Sequence, residues 1–271
     1  MTDTTTRTST RTIAITNQKG GVGKTTTTVN LAAGLVEAGK RVLLVDLDPQ
    51  GNATMGSGLD KRALDATVYH VLLGLATAEA VRKPAGSGGY DVLPSNRDLA
   101  GAEVEMVELD HRETRLKAAL APIAAQYDYI LLDCPPSLSM LTVNALVASD
   151  TVMIPMQCEY YALEGLTDLV NTVKRVREKL NPSLEIEGLL RTMFDPRNTL
   201  AQQVSDDLKS HFGDKVYATV IPRNVRLAEA PGFGAPAVSL DRACKGSQAY
   251  VALAWEVITR NGAQAIAAQP A

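Results

Sequence analysis

A short β-branched run, Thr12-Ile13-Ala14-Ile15-Thr16, leads within two residues into Lys19-Gly20-Gly21-Val22-Gly23-Lys24-Thr25-Thr26, and helical periodicity begins at Thr25. Glycines let so short a connection curl until successive N–H groups point at one spot, and the helix that follows aims its positive end at the same spot. Strand, tight turn and helix in that order form half of a βαβ unit, which commits the chain to a mainly parallel sheet. The turn is built to enclose phosphate. Lys24 supplies an ammonium for the β/γ-phosphates and Thr25 a hydroxyl for Mg²⁺.

The same alternation recurs along the chain. Strands are expected at Thr12–Thr16, Arg41–Asp46, Tyr90–Leu93, Tyr129–Asp133, Thr151–Pro155, Glu187–Thr192 and Val216–Ile221, and helices at Thr25–Ala38, Glu113–Ala125, Leu163–Leu180, Leu200–Phe212 and Gln248–Thr259. The 271 residues fit one large core, and 45% hydrophobic content with only 4% aromatic makes that core Val, Ile, Leu and Ala. The expected fold is α/β: a P-loop NTPase-type, mainly parallel twisted sheet with helices on both faces, in a single domain. Residues 1–11, rich in Thr, Ser and Arg, read as a disordered extension in which Arg7 and Arg11 are solvated. Residues 12–260 form the domain and 261–271 a flexible tail. Gly86-Ser87-Gly88-Gly89 reads as a loop tip.

Several classes are disfavoured by composition. The net charge is −3, with 27 basic and 30 acidic side chains, so any nucleic-acid contact must come from a local patch. Cys134, Cys158 and Cys244 are odd in number and far apart, which argues against a disulfide framework or zinc site and for a reducing cytoplasm. No secretory signal and no apolar run of membrane-spanning length is present.

Two strands end in carboxylates. Val42-Leu43-Leu44-Val45-Asp46-Leu47-Asp48-Pro49-Gln50-Gly51-Asn52 delivers Asp46 and Asp48 from one face into a Pro/Gly loop, where both can turn toward a metal-bound phosphate. Tyr129-Ile130-Leu131-Leu132-Asp133-Cys134-Pro135-Pro136 is a Walker B shape, in which Asp133 holds Mg²⁺ through a water and the prolines stop the strand. Cys134 beside it reads as a buried small thiol.

The glycine loop departs from the ordinary P-loop: the position five residues before Gly23 is Gln18, and Lys19 heads the loop instead. This is the deviant Walker A pattern, and the chain resembles the ParA/MinD family of dimerising ATPases from Thr12 to about Val257. Asp46, Asp48 and the Pro-Gln-Gly-Asn after them resemble the family's Walker A′ motif. The blocks Ile154–Gly165 and Val220–Pro231 narrow the resemblance to the chromosomal ParA (Soj) branch. It implies ATP and Mg²⁺ as cofactors, bound by Lys19, Gly20, Gly21, Val22, Gly23, Lys24, Thr25 and Thr26, with Pro222 and Asn224 where the adenine is recognised. Lys24 then works on its own subunit's nucleotide, Lys19 reaches the partner's across a homodimer, Asp48 positions the attacking water, and Thr25, Asp46 and Asp133 organise the metal. The Gln157–Gly165 block reads both as a helix-capping loop and as a region near the dimer face that changes with nucleotide.

For DNA, residues 215–245 carry five basic side chains (Lys215, Arg223, Arg226, Arg242, Lys245) against two acidic ones (Glu229, Asp241). The resemblance assigns nonspecific contact with double-stranded DNA to Arg197 and Arg226, with Arg223 beside them, and implies phosphate neutralisation without base readout. It further implies a nucleoid-associated partitioning ATPase reset by a ParB/Spo0J-like centromere-binding partner. A membrane-associated MinD-type positioning ATPase is the alternative, and residues 261–271 lack the basic and bulky apolar faces it requires. A cluster-bridging electron-transfer ATPase is disfavoured by the contexts of Cys134 and Cys158. The tail also lacks the tyrosine cluster of the related bacterial tyrosine kinases.

Overall fold

The computed structural model describes residues 10–160 and 162–267. Arg7 with most of the expected extension, Tyr161, and residues 268–271 of the expected tail lie outside the described residues. Eight strands form one sheet: β1 (Arg11–Ile15), β2 (Val42–Asp46), β3 (Lys83–Pro84), β4 (Asp91–Leu93), β5 (Tyr129–Asp133), β6 (Thr151–Met156), β7 (Glu185–Phe194) and β8 (Val216–Pro222). Their spatial order is β3-β4-β2-β5-β1-β6-β7-β8. Only the β3–β4 pair is antiparallel. All seven expected strands are present, each within two residues of its expected ends. β3 was not foreseen: two exposed residues carry no period, and it forms only because the Gly86–Gly89 tip folds it back on β4.

Side-chain alternation divides the core between the two faces. Ile13, Ile15, Val42, Leu44, Tyr129 and Leu131 pack with α1 (Lys24–Glu37) and the C-terminal helix Lys245–Ala267. Ala14, Leu43, Val45, Ile130 and Leu132 pack on the other face with helices Arg115–Ala124, Met140–Ala148 and Ala162–Lys179. Helix Met140–Ala148 escaped the periodicity reading because most of its circumference is buried, Leu141, Thr142 and Asn144–Val147 included, so it has little polar stripe to register.

Both expected boundaries shift. Thr10 Oγ1 donates to the carbonyls of Ala124 (2.8 Å) and Tyr127 (2.9 Å), so structure begins before residue 12. The C-terminal helix continues to Ala267, through seven residues expected to be tail; Ala263, Ala265 and Ala267 favour helix, and the first proline is Pro270.

β8 lies at the outer edge of the sheet, where strands expose unpaired backbone groups. Here the C-terminal helix covers it. The N–H groups of Ala218 and Thr219 each donate to one oxygen of Glu256 at 2.8 Å, and Arg260 donates to the carbonyl of Val216 at 3.1 Å. Two consecutive N–H groups reach one carboxylate because the β7–β8 register is irregular at this point. Glu256→Ala leaves both donors without a protein partner. A loss of about 1–2 kcal/mol is expected in urea denaturation, with the slope unchanged.

Candidate active site

Strands β2, β5 and β1 are adjacent and parallel, and their ends are level: Asp46 and Ile15 are both register partners of Asp133. That register brings the glycine loop and two strand-end carboxylates to one edge. Gly21 and Gly23 adopt φ of 72° and 88°, the left-handed region that a side chain disfavours. Gly23 is the N-cap of α1, no side chain caps that helix, and its first turn has no acidic residue. The first N–H groups and the positive end of the helix therefore face outward, available to an anion.

Lys24 is only 7% exposed and donates from Nζ to the Lys19 carbonyl at 3.2 Å. Burial lowers its pKa, while the carboxylates of Asp133 and Asp48 oppose that shift. Asp133 is fully buried and accepts from Thr25 Oγ1 (2.8 Å) and Thr28 Oγ1 (3.0 Å). Its pKa is raised, by burial first and by Asp46 on the neighbouring strand second. Burial and then Asp133 also push the Cys134 thiol up, which keeps it protonated.

Asp46 is fully buried, and both its oxygens serve the loop that follows: Oδ1 accepts from Asp48 N (3.1 Å), Oδ2 from Thr54 N (2.8 Å) and Thr54 Oγ1 (2.7 Å). Desolvation raises its pKa against those donors. Asp48 is half-buried, and its Oδ1 accepts from Gln50 N at 2.9 Å. Lys19 is half-exposed and its Nζ lies 2.5 Å from Glu159 Oε2 of the same chain. Lys19, Lys24, Thr25, Asp46, Asp48 and Asp133 thus gather around one edge of the sheet.

Three further residues hold the loop. Asn17 Oδ1 accepts from Lys19 N (2.9 Å) while its Nδ2 donates to Pro155 O (2.8 Å). Gln157 Nε2 donates to Gly21 O (3.0 Å), and Thr192 Oγ1 donates to Val22 O (2.8 Å). Gln157, in the segment expected to cap the next helix and to lie near the dimer face, also touches the glycine loop. Thr192 and Asn17 were not singled out. Their only sequence signal is position, at or just beyond the C-terminal ends of β7 and β1.

Beside α1 lies a cavity of about 460 Å³, lined by Thr25, Thr26 and Asn30 of α1, Asn52 and Met55 of α2 (Asn52–Gly56), and Leu227 and Pro231 opposite. Pro222 and Asn224 do not line it. Pro222 ends β8, and Asn224 caps helix Val225–Glu229 by accepting from Leu227 N at 3.3 Å.

The candidate DNA residues sit along the same edge, at the ends of β7 and β8. Arg197 forms a two-pronged pair with Asp195 (3.0 and 2.8 Å), which holds that carboxyl down at about 2; Arg223 contributes to the same depression. Arg226 pairs with Glu229 (3.0 Å) and Asp241 (3.4 Å). The partners of Arg226 are the two acids already counted in the 215–245 window, and Arg242 pairs with Glu37 outside it at 2.7 Å.

A parallel αβα sheet with an uncapped helix after a glycine loop, a buried lysine and a strand-end Asp–Thr pair defines a P-loop nucleotide-binding protein. Residues 10–186 match the AAA domain family. The chain is 56% identical over 245 residues to the sporulation initiation inhibitor protein Soj of Bacillus subtilis, covering 90% of this chain and 97% of that one. It is 53% identical over 252 residues to the chromosome partitioning protein ParA of Caulobacter vibrioides, covering 92% and 94%. The crystal structure of cobyrinic acid a,c-diamide synthase from Mycobacterium smegmatis with bound ADP and magnesium superposes with a TM-score of 0.80 at 40% identity, covering 90% of this chain and 92% of that one. The chain belongs to the ParA/Soj family of chromosome-partitioning ATPases.

Proposed function

We propose that this protein binds ATP with Mg²⁺ at the glycine loop, hydrolyses it to ADP and phosphate, and uses the cycle to switch a homodimer on and off nonspecific double-stranded DNA. The observation that carries this reading is the uncapped start of α1, with Lys24 buried at its side between Lys19 and Asp133. Oxygen donors alone, the Thr25 hydroxyl and the Asp133 carboxylate 2.8 Å apart, suit Mg²⁺, which keeps waters and phosphates for its remaining positions. Bound there, the ion neutralises charge on the phosphate oxygens.

The chain's own groups do the rest. Backbone N–H groups of residues 20–26 orient the phosphates, and Lys24 offsets their charge. Asp46 shapes the loop that carries Asp48, and Asp48 orients the attacking water in line with the γ-phosphate. Lys19 leaves Glu159 and reaches the nucleotide of a partner subunit. An exposed ion pair of this kind is worth less than about 1 kcal/mol, so nucleotide can exchange it readily. Pro222 and Asn224, flanking the loop after β8, recognise the adenine. A ParB/Spo0J-like partner accelerates the reset, in the cytoplasm at the nucleoid.

No helix among the described residues is long and apolar enough to cross a membrane, and residues 261–267 offer one bulky apolar side chain, Ile266, and no base.

Arg197 and Arg226 contact DNA phosphates by exchanging their exposed carboxylate partners for them, and Arg223 contacts phosphate beside them. Combining Arg197→Glu with Arg226→Glu is expected to weaken ATP-dependent DNA retention at least tenfold. The log–log salt slope should flatten by up to about four, two phosphates per protomer in a dimer. DNA co-sedimentation with ATP, ADP and no nucleotide checks this, and unchanged retention in ATP overturns the assignment.

A further inference from the structure

We propose that Ser95 is a positioning residue for Asp48, acting from a different strand; this rests on the reading that Asp48 directs the attacking water. The peptide between Asp48 and Pro49 has no N–H, so its carbonyl is the only polar handle by which the protein can hold it. Two donors take that handle: Gly51 N at 2.8 Å, closing the turn, and Ser95 Oγ at 2.9 Å. Ser95 lies two residues beyond the end of β4, the strand next to β2.

Its backbone completes the hold. Ser95 N donates to Thr54 Oγ1 at 2.8 Å, and that hydroxyl donates in turn to Asp46 Oδ2. On the far side of the turn the Ser95 carbonyl lies against Gly51, where a β-carbon would come within 2.8 Å of it and φ is 62°. Residue 95 therefore touches both ends of the Asp48–Gly51 turn. Asp46, Thr54 and Ser95 are all fully buried, so water does not substitute for these contacts. The ring Asp46–Thr54–Ser95–Asp48 closes through Asp48 N, which donates to Asp46 Oδ1. It fixes the backbone from which the half-buried Asp48 carboxylate projects.

Ser95→Ala removes one oxygen and little volume. Its turnover at saturating ATP is expected to fall about tenfold while nucleotide affinity stays within twofold, because small displacements of a catalytic group cost rate before binding. In an Asp48→Ala background, Ser95→Ala should not slow the residual rate further. Wild-type turnover in Ser95→Ala overturns the proposal. So does an equal loss in the Asp48→Ala background, which shows action independent of Asp48, or an affinity loss as large as the turnover loss, which shows a merely structural role. If Asp48→Ala alone keeps wild-type turnover, the water-directing role of Asp48 fails and this proposal with it; if Asp48→Ala is inactive and Ser95→Ala is normal, only Ser95 is excluded.

Discussion

Asp48→Ala is expected to bind ATP with wild-type affinity and to hydrolyse it at least a hundredfold more slowly. Asp48 sits in the turn after β2, outside the glycine loop, and makes no hydrogen bond to it among the described residues. Its loss leaves the N–H cradle, Lys24 and the Thr25–Asp133 pair in place, so ground-state binding is preserved. Removing a group that handles the attacking water typically costs 10²–10⁴ in rate. Deleting a carboxylate from a site that must accept a polyanion also relieves repulsion, so affinity should not fall. Phosphate release measured beside nucleotide binding decides the matter, and undiminished release removes Asp48 from the mechanism. On the switch reading, the same variant stays on DNA in ATP because the reset step is missing.

Substituting the two lysines is expected to give opposite kinds of failure. Lys24 is a buried cation beside Asp133 and Asp48, and Lys24→Ala leaves those carboxylates facing an incoming phosphate without compensation. A charged hydrogen bond lost at such a place is worth about 1.5–3 kcal/mol, which corresponds to nucleotide affinity lower by about one to two orders of magnitude. Lys19 is half-exposed, and its ammonium is paired with Glu159. Lys19→Ala should therefore keep nucleotide binding within about threefold, since exposed pairs contribute little, yet fail to form the ATP-dependent dimer. Equilibrium nucleotide titration with sedimentation velocity separates the two. A Lys19→Ala chain that dimerises normally in ATP rules out the crossing role.

Where interactions are local, the sequence was an adequate guide. Strand β5 was bounded to the residue, because Tyr129–Asp133 is a pure apolar run stopped by a carboxylate and two prolines. The glycine loop was legible because its conformation is dictated by residues within it. The helix Met140–Ala148, mostly buried, left little period to read, and the C-terminal helix outran its expected end because alanine signals neither a core face nor a stop.

At the site, the residues that bear charge were legible and those that hold them were not. Asp46 was expected to help organise the metal. The fold shows how its carboxylate is used in this state, with three donors arriving from Asp48 and Thr54. Gln157 and Thr192 reach the loop from the ends of β6 and β7, more than a hundred residues along the chain. The basic patch is weaker in space than its count suggests, because Arg197 faces Asp195 and Arg242 faces Glu37, two acids outside the counted window.

From sequence alone came the phosphate cradle, the second lysine at its head and the parallel α/β class. These follow from spacing, since a few neighbouring residues fix the φ angles, the helix start and the strand period. Strand order decided the rest. It set Asp46 beside Asp133, bringing two buried carboxylates close enough for Asp46 to raise the pKa of Asp133. It set residue 95 under the Asp48 turn, and it turned Lys19 toward Glu159. Those contacts join segments 47 to 140 residues apart, and no local period records which strands will lie side by side.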